Sequence, residues 1–196
     1  MKILSLTFYF IVILTSTVLS QDVYLDKGNQ FLNSGNLDSA EQIFRKGIIS
    51  DPQNLIYQNQ LALILITQKK FDDAENVLEK VLKTDSLNAA AVWYSGIGNF
   101  KSKKYRPAIK RFEKALLLID KKGGQYYSAN WFIGKSYSNL LKTEGLTYSE
   151  TDRMLECLEA YIRLQPDAED TPKIKEYVER KKARRPPNNV EIWVDL

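Results

Sequence analysis

One pattern of small and large apolar residues returns every 34 positions and constrains the fold more than any other feature of this chain. Its clearest mark is an alanine, at Ala40, Ala74 and Ala108. Four further columns keep the same interval: Leu37, Phe71 and Tyr105; Phe44, Leu78 and Phe112; Gly47, Val81 and Ala115; Gly28, Ala62 and Gly96. A repeat of this period is typical of solenoids and other stacked arrays.

The spacing inside the repeat predicts two packed helices. Ala40, Phe44 and Gly47 are separated by four and three residues, so they share one helix face. The small residues Gly28 and Ala40 allow the two helices to approach closely. Phe31 and Phe44 are then expected to fill the space around the crossing.

Residues that favour turns bound each predicted helix. Gly35 and Asn36 connect the first helix to the second, and Asp51 and Pro52 end the second. Such a hairpin cannot bury its apolar face alone, so each hairpin must stack on the next.

This pattern resembles the tetratricopeptide repeat (TPR), a helix hairpin with characteristic small and aromatic positions. Unit one, residues 21–54, carries all of them: Gly28, Ala40, Phe44, Gly47 and Pro52. Units two and three, residues 55–88 and 89–122, have Ser86 and Asp120 in place of the proline. The resemblance implies an all-α fold, a right-handed superhelical stack of TPR hairpins with a C-terminal capping helix.

Residues 123–170 fit a fourth, degenerate hairpin. Tyr126–Lys142 is predicted as its first helix and about Thr151–Leu164 as its second, with an inserted loop at 143–150. Insertions in repeat arrays map to one face and sometimes serve in binding. The loop is therefore either a tolerated insertion or a contact surface.

The predicted capping helix covers residues 171–185. It starts with Thr171 as the N-cap and Pro172 in the first helical position. A narrow apolar stripe follows at Ile174, Tyr177 and Val178. The helix ends in a basic run, which is either a solvated helix end or a surface that attracts anionic lipid or an acidic partner: Arg180, Lys181, Lys182, Arg184 and Arg185.

The C-terminal tail, residues 186–196, follows a proline break. Apolar and polar residues alternate over Val190–Leu196, which predicts an extended segment, and Trp193 is expected to dock on another part of the molecule. Its apolar side chains and the Pro186–Asn189 tether make the tail a candidate internal ligand.

Residues 1–20 have the layout of a secretory signal peptide: one lysine, an apolar stretch, then small polar residues. Cleavage is predicted before Gln21, which would leave an exported protein with no stable membrane insertion. The alternatives are an uncleaved membrane anchor and an ordinary buried helix. None of the asparagines lies in an N-x-Ser/Thr site, which favours a periplasmic or secreted protein of a bacterial envelope.

The residue types disfavour catalysis. The chain has no histidine, the commonest general base and metal ligand. No P-loop, GxSxG, CxxC or HExxH pattern occurs. We therefore expect no enzyme activity, no cofactor and no metal site. The formal charge of +4 is mild and does not indicate nucleic acid.

Cys157 is the single cysteine, so an internal disulfide is excluded. It shares an apolar face with Met154, Leu158 and Tyr161, which predicts a small buried residue. The alternative is a reactive or intermolecular thiol.

The resemblance implies a function through a concave groove lined by the first helix of each hairpin. The TPR clamp for a terminal carboxylate does not carry over, because Leu25, Ala90 and Tyr94 occupy positions where that clamp has cations. The groove is expected to be apolar and aromatic instead. Its predicted residues are Leu25, Asn29, Asn59, Leu63, Ile66, Trp93, Tyr94, Ile97, Phe100, Trp131, Phe132 and Lys135.

These features predict a non-catalytic protein–protein interaction module that binds a protein or peptide in the groove. The alternative is a structural or assembly subunit of a fixed envelope complex or a homo-oligomer. The groove aromatics have their own alternative, which is packing between neighbouring first helices.

Overall fold

The computed structural model describes residues 23–195, and the predicted signal peptide lies outside this range. The described residues form nine helices and one two-stranded ladder, so the all-α prediction is confirmed. The chain divides between Thr84 and Asp85 into two compact units. Within residues 23–195, none of the helices combines the length and the apolar character that a membrane span requires.

The described residues of the first unit, 23–84, form four helices. Helix α1 covers residues 23–33, and it is followed by α2 (Leu37–Ser50), α3 (Leu55–Thr67) and α4 (Phe71–Thr84). Asn36 and Asn54 cap α2 and α3, because each side chain accepts a hydrogen bond from a backbone N–H of the first turn.

The repeat columns of the first unit mark the helix crossings, as predicted. A Cβ atom added to Gly28 would lie 2.4 Å from Cζ of Phe44, so only glycine fits there. Ala40 and Phe44 are fully buried. Tyr57 of α3 continues the same core, with its ring centroid 6.4 Å from that of Phe44.

The second unit contains the other helices: α5 (Ala89–Lys101), α6 (Tyr105–Leu118), α7 (Gly124–Thr143), α8 (Tyr148–Leu164) and α9 (Thr171–Ala183). The hairpin crossing recurs in it. An added Cβ would lie 2.9 Å from the Phe112 ring at Gly96 and 2.5 Å from Leu158 at Gly134. The degenerate fourth hairpin therefore keeps the close approach of the regular repeats.

The turn inside each regular hairpin repeats in backbone conformation as well as in sequence. Gly35, Lys69 and Lys103 have φ of 76°, 63° and 62°, in the left-handed region. Only the first of them is glycine, the residue that adopts this region without steric cost. The lysines take it because the turn requires it, and nothing in their residue type predicts it.

The inserted loop is shorter than predicted. Helix α8 begins at Tyr148, so residues 148–150, expected in the loop, are helical. A capping box causes the early start: Thr147 accepts a hydrogen bond from the backbone N–H of Glu150, whose carboxylate accepts one from the backbone N–H of Thr147.

The tail does not act as a ligand of the helix groove. Strand β1 (Leu146–Thr147), in the inserted loop, pairs antiparallel with β2 (Ile192–Trp193) in the tail. The backbone N–H of Asp195 also donates to the carbonyl of Leu141 at 3.2 Å. The tail thus covers the α7–α8 connection, where Leu146 is buried.

Helix α9 caps the unit as predicted, with Ile174 and Val178 buried. Its start differs by one residue, because Asp170 is the N-cap and Thr171 the first helical residue. In α8, Cys157 is fully buried, as predicted, and burial raises the pKa of its thiol to about 12. A thiol with this pKa is un-ionised at neutral pH, so it is a poor nucleophile.

Candidate functional site

The predicted groove residues of the first unit fall into two groups. Leu25, Asn29 and Leu63 are partly exposed, as a contact surface requires. Asn59 and Ile66 are only 7% and 2% exposed, so the structure does not place them on an accessible surface. Helix α3 explains the difference, because its apolar residues surround the helix and are buried on several sides.

The predicted aromatic residues of the second unit come together in one cluster, which largely serves packing. The ring of Phe132 stacks on that of Phe112 with centroids 4.7 Å apart. Trp93 contacts both rings edge-on, at 5.4 Å and 6.2 Å. Phe100 lies 5.0 Å from Phe132. The alternative of packing between neighbouring first helices therefore describes Trp93, Phe100 and Phe132.

Two other predicted groove residues, Ile97 and Tyr94, also lie on α5. Ile97 is partly buried and packs against the core of the second unit. Tyr94 is half-buried, and burial raises the pKa of its phenol.

Trp131 is held at the edge of the cluster by a polar contact. Its indole Nε1 donates to Oδ2 of Asp170 at 2.8 Å. The other carboxylate oxygen of Asp170 accepts from the Tyr161 hydroxyl at 2.7 Å. Burial raises the pKa of Asp170, but the hydrogen bonds from Tyr161 and Trp131 outweigh it, so the pKa is lowered overall. Asp170 is therefore an anion that fixes two aromatic side chains.

An open cleft of about 310 Å³ lies over these groups. We call it the aromatic cleft; its lining is Tyr127, Ser128, Trp131, Phe132, Tyr161 and Asp170. Only Trp131 and Phe132 were predicted from the repeat register. Tyr127, Tyr161 and Asp170 were missed, because they belong to no repeated column. The contact between Trp131 and Asp170 also joins residues 39 positions apart.

A second cleft of about 270 Å³ adjoins the aromatic cleft and shares Asp170 with it. We call it the basic cleft; its lining is Lys135, Ser138, Lys142, Leu158, Asp170, Lys173, Ile174, Tyr177 and Arg180. Lys135, the last predicted groove residue, connects the two clefts, because its Nζ also lies 5.6 Å from the Trp131 ring centroid.

The basic run at the end of α9 is divided between contacts inside the unit and exposed positions, with Arg180, Lys182 and Arg184 exposed. Lys181 is buried and pairs with Asp195. Lys182 pairs with Glu159, and the Arg185 guanidinium lies 3.6 Å from the Tyr148 ring centroid.

Comparison with known proteins supports the repeat assignment. Residues 31–94 match the family described as Tetratricopeptide repeat. Over 96 residues, 49% of this chain, the sequence is 28% identical to the type IV pilus assembly protein PilF of Pseudomonas aeruginosa. Over the same length it is 29% identical to RNA polymerase II-associated protein 3 of Mus musculus. The matched part spans only 38% and 14% of those relatives.

Solved structures of MamA are similar in fold. The superposition on one of them covers 87% of this chain and 97% of the MamA chain, with a TM-score of 0.63 and 22% identity. The superposition on MamA from Desulfovibrio magneticus RS-1 covers 85% of this chain and 97% of the MamA chain, with a TM-score of 0.65 and 14% identity. At such identities the likeness concerns the fold alone. The findings together support a tetratricopeptide repeat protein.

Proposed function

We propose that this chain is a non-catalytic interaction module that binds a protein or peptide through the aromatic cleft. The observation that carries the proposal is a partly exposed aromatic surface held in place by Asp170. Aromatic side chains dominate binding energy at protein interfaces. Because Trp131 and Tyr161 are already fixed, a partner would lose little entropy by ordering them.

The proposed site is narrower than the groove predicted from the repeat register. Trp93 and Phe132 pack inside the second unit, which leaves Tyr127 and Trp131 as the main anchors. In the first unit, Leu25, Asn29 and Leu63 remain proposed contact residues, because they are partly exposed. Lys135 contributes from the border with the basic cleft.

Peptide selection tests this proposal. A random peptide library displayed on phage is selected against the purified protein, and the affinity of the enriched peptides is measured for two variants. Tyr127→Ala removes a lining ring of the cleft, and Tyr126→Ala removes a neighbouring ring that does not line it. We expect about tenfold weaker binding for Tyr127→Ala and less than about twofold for Tyr126→Ala. Equal effects, or no enrichment, would contradict the proposal.

We propose that the module acts in the cell envelope or outside the cytoplasm. The composition of residues 1–20 supports this location, and one relative carries the name of a pilus assembly protein. Mass spectrometry of the exported protein is expected to find an N-terminus at Gln21. An intact Met1 in the membrane fraction would indicate an uncleaved anchor instead.

A role as an assembly subunit is the second candidate, and the same relative's name favours it. In that case the aromatic cleft would be filled permanently by a fixed partner or a second copy. Sedimentation velocity of the mature protein distinguishes the two: a monomer supports a transient adaptor, and an obligate oligomer supports the assembly role.

A further inference from the structure

The basic cleft gathers positive charge that is left unpaired. It is lined by Lys135, Lys142, Lys173 and Arg180. Within residues 23–195, none of these four side chains forms a salt bridge. Several other cations of the second unit form salt bridges, in the pairs Arg106–Glu150, Arg153–Glu113, Lys182–Glu159 and Arg185–Asp152. The lining of the cleft therefore concentrates four cations around a single carboxylate, that of Asp170.

Two cations of the cleft, Lys142 and Arg180, act on a neighbouring lysine outside the lining. Burial lowers the pKa of Lys181, next to the cleft, and the charges of Arg180, Arg184 and Lys142 lower it further. The only anion in the lining is Asp170, which already accepts two hydrogen bonds at the aromatic end. Its charge acts on Lys135, which helps to lower the pKa of Asp170. One carboxylate offsets only part of the charge of four cations, so the lining keeps an excess of positive charge that an acidic ligand can balance.

Helices α7 and α9 form the two walls of the basic cleft, and they run parallel to each other. Trp131 contacts Asp170 and Ser138 contacts Tyr177, both at a separation of 39 residues. This constant offset aligns α7 with α9 along the cleft. The floor between them is apolar, because Leu158 and Ile174 line it and are buried.

The alignment places a pair of cations at each end of the cleft. Lys135 and Lys142 on α7 are separated by seven residues, as are Lys173 and Arg180 on α9. Seven helical residues span about 10 Å. That distance is too long for one phosphate or carboxylate group, and it matches about three residues of an extended peptide.

We propose that the basic cleft binds an acidic segment of the partner, an extended peptide whose carboxylates reach the two ends and whose chain lies on the apolar floor. This inference rests on the proposed function, because it gives the chemistry of the partner beside the aromatic cleft. A flat anionic bilayer would not reach the floor, so a peptide fits the concave shape better.

Fluorescence anisotropy with a labelled hexaglutamate peptide tests the inference on the whole mature protein. Hexaglutamine is the neutral comparison. We expect hexaglutamate to bind at low ionic strength, binding to weaken as salt is added, and hexaglutamine not to bind.

Charge variants locate the site. Lys142→Gln with Lys173→Gln removes one cation from each wall of the cleft and is expected to weaken hexaglutamate binding about fivefold to tenfold. Lys121→Gln with Lys122→Gln makes the same change of net charge in an exposed loop and should weaken it less than about twofold. Arginine at positions 142 and 173 should preserve binding. Thermal melts establish that each variant is folded.

Three outcomes would overturn the inference. Equal weakening by both glutamine pairs would mean diffuse attraction to net charge. Full competition by inorganic phosphate would mean a single-anion site. Binding to phosphatidylglycerol vesicles without binding to hexaglutamate would assign the cleft to a membrane surface. Tyr127→Ala separates this test from the previous one, because Tyr127 does not line the basic cleft. The variant should bind the selected peptides more weakly and bind hexaglutamate as the wild type does.

Discussion

At each helix crossing, the small residue is matched in size to the side chain that faces it. Gly28 faces Phe44 and Gly96 faces Phe112, with room for no Cβ atom in either case. In the second repeat, Ala62 occupies this position and Leu78 replaces the phenylalanine. The column of small residues could be predicted from the sequence. In the three regular repeats glycine pairs with an aromatic ring and alanine with leucine, whereas Gly134 of the fourth hairpin faces Leu158.

Gly28→Ala is expected to destabilise the protein. Alanine improves helix propensity by about 1 kcal/mol, but overpacking a tight site costs about 1–3 kcal/mol, and here the added atom would lie 2.4 Å from a buried ring. The net loss should lower the unfolding midpoint in a thermal melt. Gly124→Ala is the matched control, since its Cβ would meet only ordinary contacts at 3.4 Å.

A double variant tests the mechanism. Phe44→Leu recreates the combination of Ala62 and Leu78, so Gly28→Ala should cost less in that background than in the wild type. Additive effects of the two substitutions would show that the contact with Phe44 is not the cause.

At the scale of elements, helices were predictable because their pattern is local. The columns at three and four residues place α2, α4 and α6 by periodicity, and the 34-residue repeat with its turn residues places α1, α3 and α5. The start of α8 also had a local signal, the Thr147–Glu150 capping box, but the repeat register favoured a later start. The β1–β2 ladder had no such signal, because each strand has two residues and they pair across the sequence.

The tail illustrates the limit of sequence patterns. Alternation over Val190–Leu196 predicted an extended segment, and the structure pairs part of it as β2. What the segment contacts depends on the inserted loop and on Lys181, which pairs with Asp195. Periodicity reports which residues share a face and says nothing about a distant partner. The expected docking of Trp193 is confirmed by its packing against the core of the second unit, but the tail pairs with β1 and not with the helix groove for which it was a candidate ligand.

For the whole molecule, the order of the helices follows from the repeat, whereas the clefts follow from departures from it. In a repeat protein each hairpin contacts its neighbours, so a correct register predicts those contacts. The aromatic and basic clefts instead depend on Asp170 and on α9, which lie outside the repeated columns. The fold was therefore predictable to a greater extent than the candidate site.

The folded state is expected to lose stability in acid because of three hydrogen-bonded carboxylates. Glu41, Glu150 and Asp170 are partly buried, which raises their pKa values, but hydrogen bonds to the carboxylates lower them overall. A carboxyl whose pKa is lower in the folded state stabilises the protein above its unfolded pKa of about 4. That contribution is lost as the pH falls through the folded pKa.

Denaturant unfolding at pH 7 and at about pH 3 checks this expectation. Asp170→Asn should be less stable than the wild type at pH 7, because the anion that Tyr161 and Trp131 bind is gone. The difference should shrink in acid, where the wild-type carboxylate itself becomes protonated. Asp167→Asn, a change at an exposed position three residues away, should show little difference at either pH. If the Asp170→Asn deficit is the same at both pH values, the charge is not its source.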